Sequence, residues 1–424
     1  MNLSNENRLL LYCVQTEIPE VVLDEIRNLV GLSLDWEEIL KSARWHGVAP
    51  LLYNNLKRIQ KRRSIPQRVM DELRTAYNAT LARNMYIYAE LNSILGAFHE
   101  KKVEVILLKG AALAKTVYGD IGLRPMGDID ILVKKDDLPH AEKIITGLGY
   151  LFYSNGPEAE WFRENYYHLS YIHPEKNIPV EIHWHIITKS HPVRTRNIDT
   201  DIIERWWERA NTVEISGKKV LILCPDDLIF HLSLHFLKHR FESQYRGFIS
   251  KNALIQLCDI SQTLKHYRGD INWIRLKSEA EKYRIESVIY NTLSIVSEII
   301  GNHDDVYHDI LSGLAEGTLD KELVRLTNKR ILIPEDAFPA IPNSFIKLQA
   351  EDTFQGKVKS FVREMFPDPE FLSKRYSVPL TSKRLYVYYL IRRFGFAFKY
   401  RKIISKTPRI KEEIILKRWI SAKD

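Results

Sequence analysis

Residues 107–133 read LLKGAALAKTVYGDIGLRPMGDIDILV, and the two ends of this stretch decide how the chain is read. At its start, the aliphatic run "VILLKG" closes at Gly110 and has the composition of a short strand. "AALAKTVYG" then supplies two helical turns closed by Gly119. At its end, "DIDILV" is a second strand. Strand side chains alternate, so Asp128 and Asp130 share one face while Ile129, Ile131 and Val133 share the other. Two carboxylates about 7 Å apart along one strand repel each other, and one tends to keep its proton. A divalent cation between them removes that penalty, and Mg²⁺ takes one or two carboxylates and fills its shell with waters and phosphate oxygens.

A third acid lies in "PVEIHWHI". Val180, Ile182 and Trp184 fall on one face, and Glu181, His183 and His185 on the other. If this strand neighbours the Asp strand, Glu181 completes a three-carboxylate site. Such a site can activate a hydroxyl and stabilise an in-line displacement at phosphorus. Gly110 lets the backbone approach a ligand closely, and the helix start after it offers free N–H groups to phosphate oxygens. Lys109 and Arg124 add positive charge at the two ends of this strand–helix–loop unit.

Outside this core the grammar changes twice. Residues 7–60 have apolar residues at helical spacing, with Asp35 placed to cap a helix, and a long helix follows Pro66. "KKVEVILLKG" opens a mixed region. "DDLPHAEKIITGLG" is read as a helix capped by Asp136 and Asp137, and "YLFYS" as a strand. "HLSYIH" and "IPVEIHWHII" form an expected antiparallel pair, and "NTVEISGKKVLIL" a hairpin turning at Ser216-Gly217. After Pro225 the chain returns to helices. The expected fold is α+β: a small mixed β-sheet core over 101–223, a helical region over 1–100, a helical domain over 224–345 and a basic, aromatic segment over 346–424.

Bulk properties exclude several classes. The 424 residues leave room for two or three domains, and 45% hydrophobic content is that of a globular protein. Three scattered cysteines, Cys13, Cys224 and Cys258, argue against a disulfide framework and fit a reducing cytoplasm. No apolar run approaches the roughly 20 residues of a membrane span. The net charge of +8 is uneven: residues 383–424 carry 13 Lys/Arg against 3 Asp/Glu, or +10, which leaves −2 on the rest. That tail could take an anionic partner, whether an RNA strand, an anionic membrane surface or an acidic protein, or pack as a helix with solvated charges.

The quoted motifs resemble the DNA polymerase beta-type nucleotidyltransferase superfamily. Its signature is a hydrophobic residue, Gly, Gly or Ser, then Asp-h-Asp-h and a later acid on another strand. More closely, residues 107–133 are similar to a bacterial family of uncharacterised nucleotidyltransferases that share an LLKG…RP…DIDLLV core. "WHGVAPLLYNNL", "VEIHWHI", "HLSLHFLKHRF" through "QLCDI", and "FPDPEFLSKRY" resemble further segments of that family. The resemblance implies that Asp128 and Asp130 hold Mg²⁺, with Mn²⁺ as the alternative, and that Glu181 helps bind metal and deprotonate the acceptor. It also implies an NTP co-substrate, ATP first among them. Lys109, Gly110, Arg124, His183, His235 and His239 are the expected nucleotide and phosphate contacts, and Asp259 fits the same pattern. Ala111 stands where the superfamily has Gly or Ser, so a hydroxyl contact is absent and Lys109 is expected to replace it.

The acceptor stays open among small molecules, peptides and proteins. Two alternatives stand beside nucleotidyl transfer. One is a phosphotransferase that passes on the γ-phosphate. The other is a non-catalytic, nucleotide-binding or antitoxin-like interaction protein, which would have no need of three converging carboxylates. His231, His235 and His239 lie at i, i+4 and i+8. Their ends are about 12 Å apart on a helix, too far for one ion, and a packed stripe is the simpler reading.

Overall fold

The computed structural model describes residues 3–59, 65–154, 159–187, 198, 201–241, 251–301, 320–332 and 378–390, with isolated positions between 355 and 373. Its contacts divide the chain into two compact units, one of Met1–Lys238 with Ser250–Leu332, the other of His239–Ile249 with Ile333–Asp424. The first holds the sheet and all the helices named below except the last turn of α10, from His239 on. In the second, residues 384–390 are helical, and most of the basic tail lies outside the described residues.

The chain begins with four amphipathic helices, α1 (Asn5–Tyr12), α2 (Glu20–Val30), α3 (Trp36–Trp45) and α4 (Ala49–Ile59). Asp35 caps α3 as expected, accepting from the backbone of Glu37 and Glu38. Buried Asn55 ties α4 to the end of α1, donating to the carbonyls of Cys13 and Gln15 at 2.9 and 2.7 Å. Helix α5 (Gln67–Glu100) starts directly after Pro66. Its 34 residues, about 51 Å of helix, reach from α3 and α4 to the sheet core. The C-terminal half buries Ile87, Leu91, Ile94 and Phe98 in the same core as Ile129, Ile131, Val180 and Ile182.

Seven strands form one sheet. They are β1 (Ile106–Leu107), β2 (Ile129–Leu132), β3 (Leu151–Phe152), β4 (His168–Ile172), β5 (Pro179–His183), β6 (Asn211–Ile215) and β7 (Lys218–Ile222). Their order is β3-β4-β5-β2-β1-β7-β6. β2/β5 and β1/β7 are parallel and the other pairs antiparallel, so the α+β mixed sheet is as expected. The β6–β7 hairpin turns at Ser216 and Gly217, whose φ of 53° and 76° are those of a type I′ turn.

Two local expectations shift. The first strand keeps only two ladder residues, because the C-terminus of α5 uses up its beginning: Val103 N–H bonds the Phe98 carbonyl and Lys102 turns the chain at φ 57°. Asp136 and Asp137 lie in a 3₁₀ turn, and Asp137 makes no side-chain cap to the helix that follows, α7 (Leu138–Gly147).

Helices α6 (Lys109–Thr116) and α8 (Ala159–Asn165) fill the connections, and α9 (Asp201–Arg209) precedes the hairpin. Then come α10 (Pro225–Phe241), α11 (Ala253–His266), α12 (Trp273–Lys282), α13 (Glu286–Ile299) and α14 (Lys321–Ile331). Among the described residues no helix is long and apolar enough to cross a membrane.

Candidate active site

The parallel pairing of β2 with β5 sets Asp130 directly beside Glu181. Ile129 and Ile131 point into the core and are fully buried, as are Val180 and Ile182 across the pair. The alternation that buries them sends the acids the other way. Asp128 stands just before β2, and oxygens of Asp128, Asp130 and Glu181 lie within 4.8 Å of one another.

Positive partners converge on the same point. Lys109 Nζ donates to Asp130 Oδ1 at 2.6 Å and stands 3.9 Å from Glu181 Oε2. His183 Nε2 lies 2.9 Å from the same Asp130 oxygen and 3.3 Å from Glu181 Oε2. His168, the cross-strand neighbour of His183 on β4, comes within 3.7 Å of Glu181 Oε1. Burial alone would raise the Asp130 carboxyl, but Lys109 and His183 outweigh it and hold the group well below the usual range. Glu181 is also lowered: burial opposes ionisation, and the His183 hydrogen bond overcomes it. Asp128 goes the other way, pushed up to about 7 by the charge of Asp130 and then by burial. Burial drives His168 down to about 3, so it is a neutral neighbour, whereas the acids lift His183 against its own burial.

Helix α6 begins beside this cluster. Lys109, its first residue, takes the left-handed backbone at φ 45°. Gly110 is required for a different reason: a Cβ there would lie 2.5 Å from Arg124 Nη1 and 3.2 Å from Met126 Cγ. The guanidinium of Arg124 thus rests against the helix start. Asp259 on α11 holds it through two bonds, Nε to Oδ1 at 2.8 Å and Nη2 to Oδ2 at 2.7 Å. Tyr118 donates to Asp259 as well, and Asn84 of α5 ties down the Ile121 and Arg124 carbonyls.

Of the expected site residues, Lys109, Asp128, Asp130, Glu181 and His183 come together in one cluster, with Gly110 and Arg124 next to it. On α10, His231 is buried and stacks on His235 at 6.2 Å. His235 is half-buried, and His239, in the last turn, is exposed. Burial, with Lys109 and His183 nearby, lowers His231 to about 3. Among the described residues, neither of its ring nitrogens has a hydrogen-bond partner.

Sequence reasoning missed His168 and Lys238. Writing the expected β4–β5 pair in register would have placed His168 opposite His183. Lys238 sits 3.9 Å above the ring of Tyr167, which itself contacts His168 and His183 at 4.5 and 5.8 Å. Nothing in the local sequence signals that contact.

An all-oxygen set of three carboxylates suits a hard cation such as Mg²⁺ or Mn²⁺. The raised Asp128 carboxyl is the physical mark of a cluster with more negative charge than its cations balance. The donor set therefore fits a divalent ion.

The mixed sheet, with acids on two neighbouring strands beside the helix that Lys109 and Gly110 open, is the arrangement expected of a nucleotidyltransferase. The profile of the family described as "Uncharacterised nucleotidyltransferase" matches residues 33–301. The chain belongs to that family and is a nucleotidyltransferase. Among solved structures it is similar to an antigenic nucleotidyltransferase-like protein from Paracoccidioides brasiliensis, with 11% identity and a TM-score of 0.30 over 55% of this chain and 92% of the other. A comparison with curated proteins gives no match.

Proposed function

We propose that this protein transfers a nucleotidyl group from an NTP, ATP in the first instance, to an acceptor hydroxyl on a small molecule, peptide or protein of the cytoplasm. The observation that carries the reading is the register of β2 and β5, with Asp130 beside Glu181 and Asp128 within reach of both. Asp128, Asp130 and Glu181 would hold Mg²⁺ or Mn²⁺. When bound, the ion supplies Lewis-acid charge to the phosphate oxygens.

The remaining roles belong to the chain. Glu181, kept ionised by His183, accepts the acceptor's proton. The acceptor oxygen bonds to the α-phosphorus, the bond from that phosphorus to the bridging oxygen breaks, and pyrophosphate leaves with the electron pair. Backbone N–H groups at the start of α6 receive phosphate oxygens, and Arg124 adds charge there. His183 fixes Asp130 and Glu181 relative to each other through Nε2. His235, half-buried on α10, is a further contact to the nucleotide.

The test is direct. Purified protein is incubated with Mg²⁺, candidate acceptors and ATP labelled at the α- or the γ-phosphate, beside D128N and D130N. Label from the α-phosphate on the product, lost in both variants, is the expected result. Transfer of γ-label would assign a phosphotransferase instead, and activity unchanged in both variants would remove these carboxylates from the chemistry.

A further inference from the structure

The carboxylate cluster already contains a cation of its own. Lys109 Nζ lies 2.6 Å from Asp130 Oδ1 and 3.9 Å from Glu181 Oε2, inside the set rather than at its rim. We propose that the Lys109 ammonium takes the place of one of the two cations that a three-carboxylate phosphate-transfer site can hold, so that this site takes a single divalent ion. The inference rests on the metal-dependent reading above and deepens it.

Three observations carry it. First, Asp130 Oδ1 accepts from two donors, Lys109 at 2.6 Å and His183 at 2.9 Å. A carboxylate oxygen has about two lone-pair sites, so both are used and only Oδ2 is left for an ion. Paired ions about 3.5–4 Å apart need shared carboxylates, and Asp130 is not free to bridge.

Second, charge counts the same way. The ammonium already meets part of the cluster's demand for positive charge that a second ion would otherwise meet. Third, Lys109 holds a left-handed backbone at φ 45° although Gly110, the residue that tolerates it, comes next in the chain. A non-glycine residue in that region is strained and persists where the surroundings fix it. Its ion pair with buried Asp130 is such a fixture. The ammonium has three donors, and those not used on Asp130 remain for a phosphate oxygen, as a second metal ion would offer.

The measurement is Mn²⁺ stoichiometry on the full chain, with free ion followed by electron paramagnetic resonance. A D128N/D130N double variant gives the surface-bound background. Wild type is expected to hold a single Mn²⁺ above that background. K109M, neutral and of similar length, is expected to admit a second and to bind the first on the order of tenfold more tightly. K109R, which keeps the charge, is expected to return to one. Two ions in wild type, or K109M with one ion at unchanged affinity, overturn the proposal and leave the metal reading standing. No ion above background in wild type removes the metal reading itself, and the proposal with it. The wild-type count does not depend on K109M, so misfolding of K109M cannot decide the outcome.

Discussion

Two acidic clusters lie in the same unit, one buried and one half-buried, and each brings three potential metal ligands within 4.8 Å. In one, around Cys224, Asp226 and Asp227 at the start of α10, every acid has its own guanidinium. Arg275 forks Asp226 at 2.5 and 2.7 Å. Arg209 forks Asp227 at 2.6 and 3.1 Å and reaches Glu279 at 2.8 Å. In the other, Asp130 and Glu181 share the Lys109 ammonium and the His183 imidazole, and Asp128 stands within 4.8 Å of both acids. Both clusters hold a raised carboxyl, for different reasons. Asp227 goes up to about 6 chiefly by burial, Asp128 to about 7 chiefly by repulsion from Asp130. Proximity of acids therefore does not mark a site. An unmet demand for positive charge does, and only the sheet cluster has one.

The sharpest way to break this contrast is to neutralise one acid in the sheet cluster. D130N removes a carboxylate that faces both Lys109 and the proposed ion, and transfer per folded molecule is expected to fall about a thousandfold. Initial rates with α-labelled ATP check it. The matching change in the other cluster is R209A, which leaves Asp227 and Glu279 without their shared partner. Breaking a buried pair from one side costs about 3 kcal/mol or more, so urea denaturation should show the loss while transfer per folded molecule stays at the wild-type value. Activity lost in a still-folded R209A protein would mean that both clusters serve the reaction.

The same two clusters also separate by pH. Asp227 is raised from 3.8 to about 6, so between those values the native state keeps a proton that the unfolded chain has released. Its contribution is full below about 3.8 and is lost as pH rises to about 6. D227N has no such group. From about pH 4 to about pH 6.5 wild type should therefore lose roughly 2–3 kcal/mol of stability that D227N does not, read from denaturation curves at each pH. Parallel curves for the two proteins would mean that the Arg209 fork, not burial, governs Asp227.

How much of this was legible follows from the range of each interaction. The acids of β2 and β5 were readable because a period of two fixes faces without knowledge of the rest of the fold. The Ser216-Gly217 turn and the Asp35 cap were readable because each is decided within four residues. The short β1 was not, since the end of α5 winds three residues into its own terminus. Nor was the aim of Lys109, where a left-handed backbone sends the side chain back onto Asp130, 21 residues on. The forks of the arginine cluster span 18 to 70 residues and follow only from how α9, α10 and α12 pack. His168 lies between these cases: its strand was expected, and only its register brings it to Glu181.

The smallest effect concerns the link between the sheet cluster and α11. Arg124 is held by Asp259 from a distance of 135 residues, and on its other side Gly110 leaves the space its guanidinium fills. D259N keeps the shape of the partner but removes its charge and turns one acceptor into a donor facing Arg124 Nη2. The guanidinium is then free to leave the start of α6, and KM for the NTP should rise about tenfold with kcat little changed, worth about 1.4 kcal/mol. G110A reaches the same group from the opposite side, because its Cβ would press on Nη1. If both changes act through Arg124, the double variant should cost less than the sum of the two, since an arginine already displaced cannot be displaced again. Additive losses would instead make Asp259 a fixture of α11 and Gly110 a direct contact of the phosphates, with Arg124 incidental to both.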